Sequence, residues 1–123
     1  MKKREAWPLL LLLFATSRAA ARKGLTLAQL RAIATRNGFP DPPLAAAVAM
    51  AESGGNRFAV GDRATSFGLW QIHTPAHPQF IAAELFDVDN NARAAFEISK
   101  GGTDWSPWTT FRNGDHLRFL GAQ

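Results

Sequence analysis

The chain has no cysteine among its 123 residues, which excludes disulfides, thiolate metal sites and a cysteine nucleophile. An exported form would have to be stable without disulfides. Tyrosine is absent as well. Histidine occurs three times, at His73, His77 and His116. His73 and His77 have the i, i+4 spacing of a helical zinc pair. Pro75 and Pro78 interrupt any helix there, and no Glu follows His73 as the metalloprotease pattern needs. No metal and no cofactor are therefore expected. Long apolar runs are missing too, since Trp7 to Ala15 is far short of the roughly 20 residues a bilayer span requires. No repeat appears, and no Lys/Arg run is interleaved with aromatics. The formal charge is +4, but residues 1–21 hold Lys2, Lys3, Arg4 and Arg18 against Glu5. The remainder is close to neutral, so no nucleic-acid partner is expected.

What is present begins with a leader. Lys2-Lys3-Arg4 is a basic start, and five leucines run from Leu9 to Leu13. Ala19-Ala20-Ala21 then offers an A-x-A cleavage site, the layout of a secretory signal peptide over residues 1–21. Glu5 and Arg18 depart from that layout. Residues 22–123 are read as one domain. Hydrophobic residues make up 46%, with nine Phe and four Trp, enough for a core without covalent staples.

Local signals place the elements. Thr26 and Gln29 form a capping box, with Leu27, Leu30, Ile33 and Ala34 on one face and Asn37-Gly38 as the stop. Asp41-Pro42 starts a second helix. Val60, Thr65, Phe67, Trp70 and Ile72 are strand formers, and Gly61-Asp62 marks a turn, so an irregular hairpin is expected. Thr74-Pro75 or Pro78 could open a short helix reaching Leu85. Asp87 caps a clearer helix, with Val88, Ala92, Ala95, Phe96 and Ile98 facing inward and Gly101-Gly102 ending it. Ser106-Pro107 starts a turn with Trp108 and Phe111, and Asp115 is positioned to cap a last turn to Leu120. The sum is an α+β fold, predominantly α, with a small β-hairpin lobe beside a helical body.

The second helix carries the chemistry. Leu44 to Ala51 is small and apolar on every side, then Glu52 meets Ser53-Gly54-Gly55. A helix apolar all round is buried, and burial favours the protonated form of a carboxyl. Such an acid can give a proton away near neutral pH. A Glu on a last turn is equally able to be a solvated residue beside a glycine stop. Gly68-Leu69-Trp70-Gln71-Ile72 begins sixteen positions later, followed by Asn91-Ala92 opening a helix and by Trp105-x-Pro107-Trp108.

This ordered set resembles the transglycosylase SLT family of lysozyme-like muramidases, which includes soluble lytic transglycosylases and phage tail-associated wall-degrading domains. The resemblance covers about residues 25–114. It implies a lysozyme-like fold, Glu52 as the catalytic acid, and Ser53 near the acid or the sugar. Gly68, Leu69, Gln71 and Ile72 match the stretch that lines the cleft floor, with Trp70 standing where Met is more common. Asn91 matches an Asn that holds the helices around the cleft. Trp105 and Trp108 belong to its C-terminal wall, as packing or as sugar platforms.

Related lytic enzymes carry a Tyr that hydrogen-bonds the acid, and here the nearest match is Phe111. Gln71 or a backbone group is the expected replacement. Such enzymes need one acid, because the muramic acid's own oxygen closes an anhydro ring. Ordinary glycoside cleavage uses two carboxylates. Asp62, in Gly61-Asp62-Arg63, is similar to the Gly-Asp-Arg that goose-type lysozymes place six positions before their G-L-x-Q. It reads either as partner carboxylate or as a turn residue bonded to its own backbone.

The expected activity is cleavage of the β-1,4 bond between N-acetylmuramic acid and N-acetylglucosamine, by transglycosylation or by hydrolysis. A peptidoglycan-binding module without turnover is a second class, suggested by the missing Tyr. A membrane-associated protein acting through residues 6–15 is a third. The expected setting is periplasmic, extracellular or on a phage virion, within a larger phage-tail or secretion assembly, with glycan strands as partner.

Overall fold

In the computed structural model, which describes residues 24–121, the elements follow in the order helix, helix, strands, helices. The expected leader at residues 1–21 lies outside the described residues. Helix α1 spans Leu27–Arg36. Both bonds of its capping box form. Thr26 Oγ1 accepts from the Gln29 N–H at 3.1 Å, and Gln29 Oε1 accepts from the Thr26 N–H at 2.9 Å. Leu30, Ile33 and Ala34 face the core, as the spacing predicts.

Helix α2 spans Pro42–Ser53, and Asp41 Oδ1 accepts from the Leu44 N–H at 3.1 Å. Ala45 to Ala49 are each 0% exposed, so this helix is enclosed by its neighbours. It ends on Gly54, whose φ is +64°. A Cβ on Gly55 would lie 2.3 Å from the Leu25 carbonyl oxygen, and the Leu25 N–H donates to the Gly55 carbonyl at 2.8 Å. The glycine pair thus lets residues 24–25 lie across the end of α2, one step past Glu52.

Three two-residue strands follow: β1 Val60–Gly61, β2 Ser66–Phe67 and β3 Ile72–His73. They form an antiparallel sheet in chain order, pairing Val60 with Phe67 and Ser66 with His73. This is one strand more than the expected hairpin. Thr65 and Trp70 lie in the connecting turns rather than in strands. Trp70 is drawn inward instead, fully buried, with its indole N–H donating to the Ala45 carbonyl at 3.1 Å. Burying an aromatic of this size removes roughly 150–250 Å² from water, worth about 4–6 kcal/mol. That outweighs the strand preference of one residue.

The helix expected from Thr74-Pro75 or Pro78 does not start there. Pro75 and Pro78 break the hydrogen-bond ladder, and the chain turns until a short 3-10 helix at Ala82–Phe86. Helix α3, Val88–Ile98, is capped by Asp87, whose Oδ1 accepts from the N–H groups of Asp89 and Asn90 at 3.0 and 2.9 Å. Its buried residues are Asn91, Ala92, Ala94 and Ala95. Two single-turn helices close the described chain, α4 at Thr109–Arg112 and α5 at Leu117–Leu120. Asp115 does not cap α5. His116 stands at that position without a side-chain cap bond, and Asp115 Oδ2 accepts from Asn113 Nδ2 at 3.1 Å.

An aromatic stack ties the sheet side to the C-terminal wall. Phe39 lies between Trp70, at 5.8 Å, and Trp105, at 5.6 Å, and Trp105 meets Trp108 at 4.9 Å. The Trp108 indole N–H donates to the Trp70 carbonyl at 2.8 Å. Trp105 is therefore core, and Trp108 is core with one edge on the cleft. The described structure is an α+β, mostly helical, lysozyme-like fold. Among the described residues no helix is long and apolar enough to cross a membrane.

Candidate functional site

A cleft of about 680 Å³ opens between the helical body and the sheet. Glu52 reaches it from the last turn of α2, and Asp62 from the turn between β1 and β2. Gln71, His73, Trp108 and Thr110 complete the part that bears on chemistry.

Glu52 is half-buried, and its Oε2 accepts a hydrogen bond from the Thr110 hydroxyl at 2.6 Å. Burial pushes its pKa above the ordinary carboxylate range. The Thr110 hydroxyl and backbone N–H pull the other way by favouring the ionised form, and the negative charges of Asp62 and Asp115 add to the rise. The carboxyl thus holds its proton more tightly than an exposed Glu while one oxygen stays fixed. Thr110 is itself held from behind. Its carbonyl accepts from the His116 backbone N–H at 3.2 Å and from the ring Nδ1–H at 3.0 Å. The buried His116 ring stacks on Phe111 at 4.8 Å.

Thr110 went unnoticed in the sequence. The absent Tyr points to a gap beside Glu52, with Gln71 or a backbone group expected to fill it; the Thr110 hydroxyl and backbone N–H fill it. In the structure Gln71 Nε2 donates instead to the carbonyls of Ala59 and Gly68, at 3.1 and 3.0 Å. Gln71 has φ +48°, a left-handed conformation uncommon outside glycine, and those two bonds hold it there.

Asp62 occupies an unusual turn. Asp62, Arg63 and Ala64 have φ of +50°, +56° and +67°, three left-handed residues in succession. Each such residue costs roughly 1–2 kcal/mol relative to the right-handed form. The Thr65 N–H closes the turn on the Gly61 carbonyl at 3.0 Å, and the Thr65 hydroxyl donates to the Asp62 carbonyl at 2.6 Å. The Asp62 carboxylate accepts from the Ser66 hydroxyl, across the hairpin, at 2.6 Å.

The remaining sequence candidates divide. Gln71 and Ile72 line the cleft. Leu69 is 0% exposed and belongs to the core, so it offers no surface to a substrate. Asn91 is also 0% exposed and acts as a plug. Its Oδ1 accepts from the Trp70 N–H at 2.8 Å, and its Nδ2 donates to the carbonyls of Phe67 and Leu85 at 2.8 and 2.9 Å. Gly68 does not open a path for a sugar. A Cβ there would lie 2.2 Å from Asn91 Nδ2, so the missing side chain makes room for the plug. Ser53 turns into its own helix end, donating to the Ala49 carbonyl at 2.9 Å and accepting from the Gly55 N–H at 3.2 Å. Phe111 packs against the core and His116 and supports Thr110 from behind. Among the described residues no group of three or more His or acidic side chains is placed to hold a metal ion.

A family model described as a lysozyme-like domain matches residues 31–110, more than half of the chain. The chain therefore belongs to the lysozyme-like domain family of the transglycosylase SLT group. The matched span contains Glu52, Asp62, the whole cleft floor and Thr110. Membership supports a peptidoglycan-acting glycosidase or transglycosylase in general terms. Neither a curated protein nor a solved structure matches the chain.

Proposed function

We propose that the chain cleaves the β-1,4 bond between N-acetylmuramic acid and N-acetylglucosamine, with Glu52 as general acid. The observation that carries this reading is the half-buried Glu52 carboxyl at the cleft, anchored by the Thr110 hydroxyl at 2.6 Å. A general acid needs its proton near the working pH and a fixed direction of transfer. Burial provides the first and Thr110 the second. Glu52 gives its proton to the bridging oxygen as the bond to the anomeric carbon breaks. In the first reading the muramic acid's own hydroxyl oxygen then bonds that carbon and returns a proton to Glu52. The product is an anhydro end, and the enzyme is a lytic transglycosylase needing one carboxyl.

A second reading, hydrolysis, is favoured by one observation. Asp62 lines the same cleft and its carboxylate is held by Ser66. An attacking water would bond the anomeric carbon and pass its proton to Asp62, giving a reducing end. In either case the partner is the glycan strand of peptidoglycan. The place of action is then the periplasm, the cell exterior or a phage particle, where a larger tail or secretion assembly would present the domain.

The test is digestion of purified peptidoglycan by the full chain, with Glu52→Gln beside it, and the products weighed. Anhydro-ended fragments from the parent and none from the variant support the first reading. Fragments heavier by one water support the second. Saturable wall binding without soluble products would replace both with a binding module.

A further inference from the structure

Single-acid cleavage leaves one group of cleft residues without a task. Ser66 on β2 pairs with His73 on β3, and both face Asp62 and Thr65 at the hairpin turn. Ser66 is only 1% exposed, so its hydroxyl is committed to neighbours rather than to solvent. That hydroxyl donates to Asp62 Oδ2, and the Thr65 hydroxyl donates to the Asp62 carbonyl, both at 2.6 Å. A hydroxyl has a single proton to give. Both protons are therefore spent on Asp62.

His73 Nδ1 lies 3.2 Å from Ser66 Oγ and 3.3 Å from Thr65 Oγ1. Neither oxygen has a proton left for it. Nδ1 must then carry the hydrogen, and the two hydroxyl oxygens accept. The direction of donation runs one way, from His73 through Ser66 and Thr65 to Asp62. Donors arranged in series polarise one another, so the bonds reaching Asp62 are stronger than isolated hydroxyl bonds. The left-handed turn at residues 62–64 also persists only if its surroundings over-determine it. This chain of donors does so from outside the turn.

We infer that His73 is a positioning residue for Asp62, holding through Ser66 the carboxylate that takes a proton from attacking water, and through Thr65 the backbone that carries it. His73 thereby sets the share of water-added over anhydro-ended product. The inference rests on the peptidoglycan-cleaving reading above and deepens its hydrolytic branch. Hydrolysis adds water across the bond, with the Glu52 proton going to the leaving oxygen and the water proton to Asp62. The Glu52–Thr110 hydrogen bond is separate from this chain of donors, so the anhydro-forming branch does not run through it.

The experiment digests purified peptidoglycan with the full chain and with His73→Phe, His73→Gln, His73→Asn and Glu52→Gln, and weighs both product types. His73→Phe removes the donor, and His73→Gln carries its amide too far out. His73→Asn keeps an N–H near the place of Nδ1. The ratio of water-added to anhydro ends is expected to fall about tenfold in the Phe and Gln variants, the worth of about one ordinary hydrogen bond. The Asn variant is expected to keep the parent ratio. His73 is exposed, so these variants retain the fold, and thermal melts of each check it. An unchanged ratio in Phe and Gln overturns the inference. So does a proportional loss of both products, which marks a residue that only supports the hairpin. A parent that yields anhydro ends alone overturns it too, while Glu52→Gln inactivity keeps the peptidoglycan-cleaving reading. A parent without products removes that reading, and the inference with it.

Discussion

The two carboxylates of the cleft are presented by opposite kinds of scaffold. Glu52 stands on a helix whose middle, Ala45 to Ala49, is completely buried, and its partner hydroxyl comes from a wall packed on the same core. Asp62 stands on an exposed turn between two-residue strands, in a backbone conformation that side chains other than glycine's rarely adopt. The acid's position is set by hydrophobic packing. The position of Asp62 is set by a few hydrogen bonds. A packed scaffold tolerates loss of any one bond, whereas a bonded turn does not. Single substitutions should therefore act differently on the two sides.

The largest expected effect is on the Glu52 side. Glu52→Gln should lower product release by about 10²–10⁴-fold, the usual worth of a general acid, in a peptidoglycan digest. The same variant tests the electrostatics. The Glu52 pKa is raised in the folded state, so its charge is unfavourable once pH exceeds that pKa. Stability from this group is fully present below the ordinary Glu pKa and is lost as pH rises through the raised one. The Gln variant should therefore melt higher than the parent at neutral pH, with the gap closing on acidification. Melts across pH that show a constant gap would contradict this.

The next effect concerns the floor. Asn91→Ala leaves the Trp70 N–H and the carbonyls of Phe67 and Leu85 without their partner. A loss of about 2–4 kcal/mol is expected in urea unfolding, since buried polar groups would be unpaired. Thr110→Val is expected to be milder for stability and to cut the rate about tenfold. It removes a bond that favours the Glu52 carboxylate, so the alkaline limb of the pH–rate profile should move upward. A downward move would show that Thr110 acts otherwise. Arg36→Ala is expected to do least. Its pair with Asp89, at 2.8 Å, is solvent-exposed and far from the cleft. A melting shift of a few °C at most and unchanged activity are expected.

Most of the helical frame was legible because its signals are local. Thr26 with Gln29, Asp41 with Pro42, and Asp87 each satisfy donors within three residues of themselves. The buried run before Glu52 was legible because small apolar residues on every face admit one reading. What was hidden depends on distant partners. Thr110 meets Glu52 from 58 positions away. The inward path of Trp70 follows from the Ala45 carbonyl, 25 positions earlier, and not from residues 65–73. Gly68 is a place of close approach, and its neighbour is Asn91, supplied by a helix that begins twenty positions later. Aspartate capping of the last turn failed because His116 is drawn to Thr110 and Phe111, which moves the start of α5 past Asp115.

The fit of Asn91 into the space beside Gly68 has a consequence for heat inactivation. The cleft floor and helix α3 share one buried side chain, and neither can loosen while the other stays in place. The floor has no separate softening temperature. Residual activity after brief heating should follow the global melt point for point, and no folded but inactive species should accumulate below it.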